Sequence, residues 1–208
     1  NCSSGASRIE PKRMNMVSMC SFSDAHECAE IPFVAANVSR VIPAVQSQIW
    51  AVLRDSDSAS RTVYSLCAAM IGRICLSGDV LNLSEEKTAL ICRGLDFYRS
   101  VSEIVRDGEI VNIDCNIEYF RAACGRQIYE KQLGDQRLVT VHALQSNDTV
   151  EIPLCGYRLV RAFTDCSYTF ENGVLCFGSA GQKSCEGAGG KRIEKDGGTI
   201  FRAGAFLL

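Results

Sequence analysis

The sequence predicts a stretch of α/β structure followed by an all-β part, a small antiparallel β-sandwich, with the change near residue 108. Two patterns carry this. Strand-like and helix-like stretches alternate with short links before residue 108, the grammar of a parallel α/β unit. Short alternating strands separated by glycine turns follow it. A third observation bounds the class. The 208 residues are 47% hydrophobic and 22% charged, enough chain and enough apolar side chain for one medium domain or two small ones. That apolar content offsets the ordering entropy, so most of the length is not disordered. The expected organisation is 1–107 for the α/β part and 108–208 for the sandwich.

The elements justify themselves in order. Val17 to Ser23 alternates for part of its length and reads as a strand. Ser58 to Gly72 is the clearest helix: Val63, Leu66, Cys67, Met70 and Ile71 make one apolar stripe. Ser58 or Ser60 can cap it and Gly72 can end it. Arg73 to Leu76 follows as a short strand, closed by the turn-like Ser77-Gly78-Asp79. The next helix runs from about Ser84 to Arg106. Ser84 is its N-cap, Glu85 and Glu86 suit the helix dipole, and Leu90, Gly94, Phe97, Val101 and Ile104 trace its buried face. Asp107-Gly108 stops it.

Beyond Gly108, residues 111–117, Arg137 to Leu144 and Tyr157 to Phe163 carry strand patterns. Tyr168 to Phe170 and Val174 to Phe177 flank Asn172-Gly173, a strong hairpin signal because both central residues tolerate positive φ. Gly197-Gly198 marks another turn, and Gly178 to Gly190 reads as an exposed glycine-rich loop. The first half holds about two strand–helix units. A parallel sheet needs both faces covered and both edges neighboured, so this half is expected to belong to a larger fold that begins upstream.

Charge and composition exclude several functions. Twenty-two basic residues against 24 acidic ones give a net charge of -2, without the basic stripe of a nucleic-acid binder. No apolar run reaches the roughly 18–20 residues of a membrane span. Twelve cysteines include no CxxC pair, and only two histidines accompany them, so a zinc site has little to draw on and no metal or cofactor is expected. The cysteines are expected to be mostly reduced, with Cys67 beside Leu66 and Met70 acting as a small core hydrophobe. A cytoplasmic location goes with that.

Several residues could carry chemistry. Asp24 stands just past the Val17–Ser23 strand, at the edge where βα barrels place catalytic groups. A carboxylate there can act as general acid/base, or it can cap the helix that follows. The loop from Asn1 to Gly5 has small residues that let a ligand approach the backbone, though a plain surface turn reads equally from those residues. Cys2 as a nucleophile would need a basic partner such as His26. The glycines at 178–190 make no phosphate loop, and Lys191, Arg192 and Lys195 read as a solvated face. Trp50, the only tryptophan, is either a core residue or a sugar-stacking platform.

Several blocks in order make the sequence resemble a known family. Asn1-Cys2-Ser3-Ser4-Gly5, with Arg8 after it, resembles the E-N-C-S-S-G-G-x-R-x-D signature of the alpha-galactosidases of glycoside hydrolase family 36. Phe22-Ser23-Asp24 resembles the family's x-S-D-x-x-D block. The match continues through Val34 to Ser39, Gln46 to Ala51, Tyr64 to Leu66, Gly72 to Asp79, Leu83-Ser84 and Phe97 to Arg99. It spans residues 1–105 or so and fades through the sandwich.

The resemblance implies the last part of a (β/α)8 TIM barrel followed by a small antiparallel β-sandwich. It implies a retaining exo-glycosidase acting on terminal alpha-linked galactose, in sugars such as melibiose and raffinose, with two carboxylates flanking the bond. Asp24 matches the family's acid/base, and Cys2 and Gly5 match the loop that contacts the galactose ring. The nucleophilic aspartate belongs to an earlier strand, upstream of Asn1, so the chain by itself is expected to be inactive. Members are often tetramers, which makes a homo-oligomer the expected assembly. There are departures: Ala6 replaces a glycine, Glu10 and Glu27 stand where Asp is usual, and Ser21 stands where some members carry Trp. A transglycosylating raffinose- or stachyose-synthase relative and a non-catalytic carbohydrate-binding or assembly fragment are the alternatives.

Overall fold

The computed structural model describes residues 14–21, 28–117, 124–146, 148–178, 195–196 and 199–208. The first half is three strands, each followed by a helix. β1 (Cys20–Ser21) leads through a 3₁₀ turn (Cys28–Glu30) into α1 (Ile31–Val38). β2 (Ser47–Leu53) leads into α2 (Ala59–Ala69), and β3 (Arg73–Gly78) into α3 (Glu85–Asp107). The strands form a parallel sheet in the order β1-β2-β3, with Ser21 opposite Gln48 and Trp50 opposite Cys75. There are therefore three strand–helix units, not about two. The strand that adds the third unit is β2, the sheet's central one, buried along most of its length, so its residues do not alternate in polarity.

The second half is antiparallel. β4 (Glu109–Cys115), β5 (Gly125–Leu133), β6 (Gln136–Leu144), β11 (Lys195–Asp196) and β12 (Thr199–Leu207) lie in the sheet order β11-β12-β6-β5-β4, and β8 (Arg161–Thr164) also pairs with β12. β7 (Val150–Pro153), β9 (Tyr168–Glu171) and β10 (Val174–Phe177) form the second sheet, in the order β7-β10-β9. Asn172 and Gly173 take φ of 52° and 74° between β9 and β10, the left-handed pair that a two-residue hairpin needs. The fold class is thus the expected one, a partial (β/α) barrel with an antiparallel sandwich. No helix among the described residues is long and apolar enough to cross a membrane.

Some boundaries move. Of the expected Val17–Ser23 strand, the described part in sheet pairing is Cys20–Ser21, and residues 22 and 23 lie outside the description. The strand expected at Tyr157–Phe163 is Arg161–Thr164, because residues 157–160, after the turn at 155–156, form an irregular link that leads to the edge of β12. Ser77 and Gly78 continue β3 instead of ending it. Gly78 has φ of +91°, and a Cβ there would stand 2.2 Å from the Leu53 carbonyl oxygen. Residues 179–190 and the Gly197-Gly198 turn lie outside the described residues.

Helix α2 explains how the halves join. The Ser58 hydroxyl caps it by accepting the Arg61 N–H at 3.1 Å. The sequence shows one apolar stripe, but every residue from Thr62 to Ile71 is buried. A helix buried all round must be enclosed on all sides. Ile49, Ala51 and Leu53 of β2 cover it from one direction, and Phe201, Ala203 and Ala205 of β12 from the other, in one continuous core. β12 and β6 in turn separate two cores. Phe201, Ala203, Ala205 and Leu207 face the helices, while Phe206, Val139 and Val141 face the small sheet.

Helix α3 has the single buried face that its spacing predicts, from Leu90 through Gly94, Phe97 and Val101 to Ile104. The Ser84 hydroxyl accepts the Lys87 N–H. Gly94 sits where the Phe163 ring and Leu66 close on the helix, and a Cβ would meet them at 2.9 and 3.0 Å. The Lys131 ammonium is buried and donates to the Val105 carbonyl at 2.5 Å, at the negative end of α3. Cys67 is fully buried in the core, as expected.

His142 on β6 is fully buried, its ring 4.9 Å from that of Tyr64 and nearly perpendicular to it. Burial pulls its pKa from 6.5 down to about 3, so the folded protein holds it neutral. The unfolded chain binds that proton more tightly, so the stability is complete above pH 6.5 and is lost as pH falls toward 3. The slope from this one group is at most about 1.4 kcal/mol per pH unit. Urea unfolding of His142→Phe between pH 3.5 and 7 is expected to show a shallower loss than wild type, and parallel curves would contradict the assignment. Gly94→Ala gains up to about 1 kcal/mol in helix propensity but overpacks two buried side chains at about 1–3 kcal/mol. A lowered melting temperature is expected, and a raised one would show that Phe163 yields freely.

Candidate active-site end of the parallel sheet

In a parallel sheet the strands all deliver their C-terminal ends to one side, and βα loops there carry function. Here two described loops arrive together, 54–58 after β2 and 79–84 after β3. Asp24, Cys2 and Gly5 lie outside the described residues, as do His26, Glu27, Ala6 and Glu10. The capping alternative for Asp24 therefore falls outside the described residues as well. Helix α1 begins only at Ile31, after the 3₁₀ turn, and its N-cap position is Glu30.

These two loops hold carboxylates with structural partners. Asp55 accepts the Ser84 main-chain N–H at 2.7 Å, and this bond holds its carboxyl below the usual range. Asp57 accepts the Arg54 N–H at 2.9 Å and lies 3.3 Å from the Arg61 guanidinium. Asp79 accepts from the Asn82 amide at 2.8 Å, and its own N–H donates to Leu53. The Lys87 ammonium donates to the Asp57 carbonyl and to Thr62. These contacts tie the start of α2 to the start of α3. Asp55 is held as an anion, the wrong state for a proton donor at neutral pH. The sequence reading passed over this network, which its Asp/Ser-rich loop composition alone could have signalled.

The face of the sheet matters as much as its end. Ile49, Ala51 and Leu53 point into the helix-packed core, so Gln48, Trp50 and Val52 point to the opposite face. Trp50 is half-buried there and is not part of the helix-side core. Its indole N–H donates to the Ser21 hydroxyl on β1. Gln48 is buried beside Ser21, and among the described residues its side-chain oxygen has no hydrogen-bond partner. A cavity of about 270 Å³ lies at the other end of the sheet, where Val45, Arg73, Tyr98 and Arg106 line it. That end of a barrel serves stability. Among the described residues no cluster of His, Cys, Asp and Glu could hold a metal ion.

No protein-family model matches the sequence, and no curated protein does. Solved structures do match. The GH36 alpha-galactosidase AgaA from Geobacillus stearothermophilus is similar over 99% of this chain and 28% of its own, at 16% identity and a TM-score of 0.66. A variant of that enzyme in complex with raffinose gives the same coverage and identity with a TM-score of 0.64. An alpha-galactosidase from Lactobacillus brevis matches over 91% of this chain and 26% of its own, at 14% identity and a TM-score of 0.58. The chain therefore spans little more than a quarter of the length of these relatives. At such identities the likeness is one of fold: the chain folds as a C-terminal portion of the GH36 alpha-galactosidases does.

Proposed function

We propose that the polypeptide to which this chain belongs is an alpha-galactosidase that releases terminal alpha-linked galactose with retention. The observation that carries the reading is a coincidence of motif and place. The Phe22-Ser23-Asp24 block follows directly on β1 of a parallel sheet whose fold is shared with GH36 alpha-galactosidases. Asp24 is the acid/base: it protonates the leaving oxygen, then takes a proton from water in the second step. The nucleophilic aspartate lies on an earlier strand. Cys2 and Gly5 contact the galactose ring. In this reading residues 1–107 complete the barrel, 108–208 form its C-terminal sandwich, and the assembly is a homo-oligomer. Raffinose in complex with an AgaA variant supports raffinose-type sugars as the substrate class. The free thiols of Cys67, Cys75, Cys92 and Cys155 support a cytoplasmic, reducing setting.

A second reading, a non-catalytic sugar-binding fragment, is favoured by Ala6, which stands where the family's motif has a glycine. Activity on nitrophenyl alpha-galactoside separates the two. The complete polypeptide is expected to hydrolyse it, and Asp24→Asn to lose activity by about 10²–10⁴-fold, the share a general acid/base supplies. Full activity in Asp24→Asn would overturn the assignment. An inactive wild type that still binds galactose would establish the binding fragment. Products formed with sucrose as acceptor separate a hydrolase from a transglycosylating relative.

A further inference from the structure

We infer that Lys87 is a positioning residue: from helix α3 it locks the loop after β2 to the loop after β3, so that one rigid rim meets the substrate. The inference rests on the alpha-galactosidase reading and deepens it. Lys87 breaks a local rule. It stands three residues after Ser84, the N-cap of α3. That position favours Glu or Gln, whose side chain reaches back to the N–H of the capping residue and closes a capping box. A cation there also faces the positive end of the helix dipole. Lysine is seldom buried, yet Lys87 is only 8% exposed. A residue placed against three preferences serves something outside its own helix.

Its bonds show what it serves. The missing half of the capping box comes from the other loop, where Asp55 accepts the Ser84 N–H at 2.7 Å. Lys87 reciprocates. Its ammonium donates to the Asp57 carbonyl and, at 3.3 Å, to the Thr62 hydroxyl on α2. Loop 54–58 thus caps α3, and α3 in turn holds loop 54–58. Two further bonds close the unit: the Thr62 hydroxyl donates to the Ser58 carbonyl at 3.0 Å, and the Asp79 N–H to the Leu53 carbonyl at 3.1 Å. The two loops therefore move as one. Both leave the C-terminal ends of parallel strands, the end where barrels build their sites, so their joint position sets the shape offered to a sugar.

The test is steady-state kinetics on melibiose with the complete polypeptide. Wild type is compared with Lys87→Met, Lys87→Gln, Lys87→Arg, Asp55→Ala and the double variant Asp55→Ala with Lys87→Met. A purely structural role would lower the folded fraction, which scales kcat and leaves KM unmoved, whereas positioning moves KM. Lys87→Met is expected to raise KM about tenfold, and Lys87→Arg, which keeps a donor, to stay within about threefold of wild type. Asp55→Ala is expected to raise KM as well. The double variant rises no further than Lys87→Met alone, because the two residues act as one unit. If Lys87→Met does not fold, Lys87→Gln takes its place: it can close the box on Ser84 and spare α3 while giving up the bond to Asp57. KM within twofold of wild type in the variant that folds would overturn this inference and leave the alpha-galactosidase reading standing. A wild type that does not hydrolyse melibiose would remove that reading, and the inference with it.

Discussion

The enclosure of α2 is the constraint on which the rest depends. An eleven-residue helix with every residue from Thr62 onward buried cannot be stable on its own, because short helices in water are marginal. It exists because β2 and β12 close on it from opposite directions. Burying side chains such as Val63, Leu66 and Met70 contributes roughly 1.5–3 kcal/mol each, and those contacts need both halves of the chain. The parallel strands that lead toward Asp24 are thereby held in place by the sandwich. Tyr64 extends the same logic. Its hydroxyl donates to the Ala29 carbonyl at 3.0 Å while its ring meets those of His142 and Phe201, so one α2 side chain links the turn before α1 to β6 and β12.

Several polar groups buried at this junction donate to a main-chain carbonyl of another element. The Gln127 amide on β5 reaches the Pro32 carbonyl on α1 at 3.1 Å, and Lys131 reaches Val105 on α3. In the sandwich, the buried Arg202 guanidinium donates to the carbonyls of Gly178 and Asp148, at 3.1 and 2.7 Å. Burial pulls its pKa down, and the nearby Cys166 and Asp148 oppose that. Such bonds are directional where the apolar core is not, so they set the register between layers that hydrophobic burial alone would leave free to slide.

How much of this the sequence revealed depends on how each segment is buried. Helix α3 was legible because it has one wet face and one dry one, marked by Leu90, Phe97, Val101 and Ile104, with Ser84 at its start. The β9–β10 hairpin was legible from Asn172-Gly173. By contrast β2 and β12 are covered on both faces for most of their length, and their near-continuous burial erases the alternation that marks a strand. β5 went unmarked for a related reason: Gln127, Glu130 and Lys131 are polar yet buried, each serving another element. At the site, the chemistry of Asp24 was legible only through its motif, since a carboxylate after a strand is as often a cap. For Trp50 the sequence left core and sugar platform both open, and strand alternation in the folded sheet puts it on the face away from the helices.

Native-state hydrogen exchange measures the coupling directly. If α2 is enclosed by both halves, its central amides, from Val63 to Ala68, exchange only when the whole chain unfolds, with the same free energy as those of β6 and β12. Amides of α2 that exchange through a smaller opening, while β6 and β12 stay protected, would show that the sandwich stands without the helix, and would contradict the account.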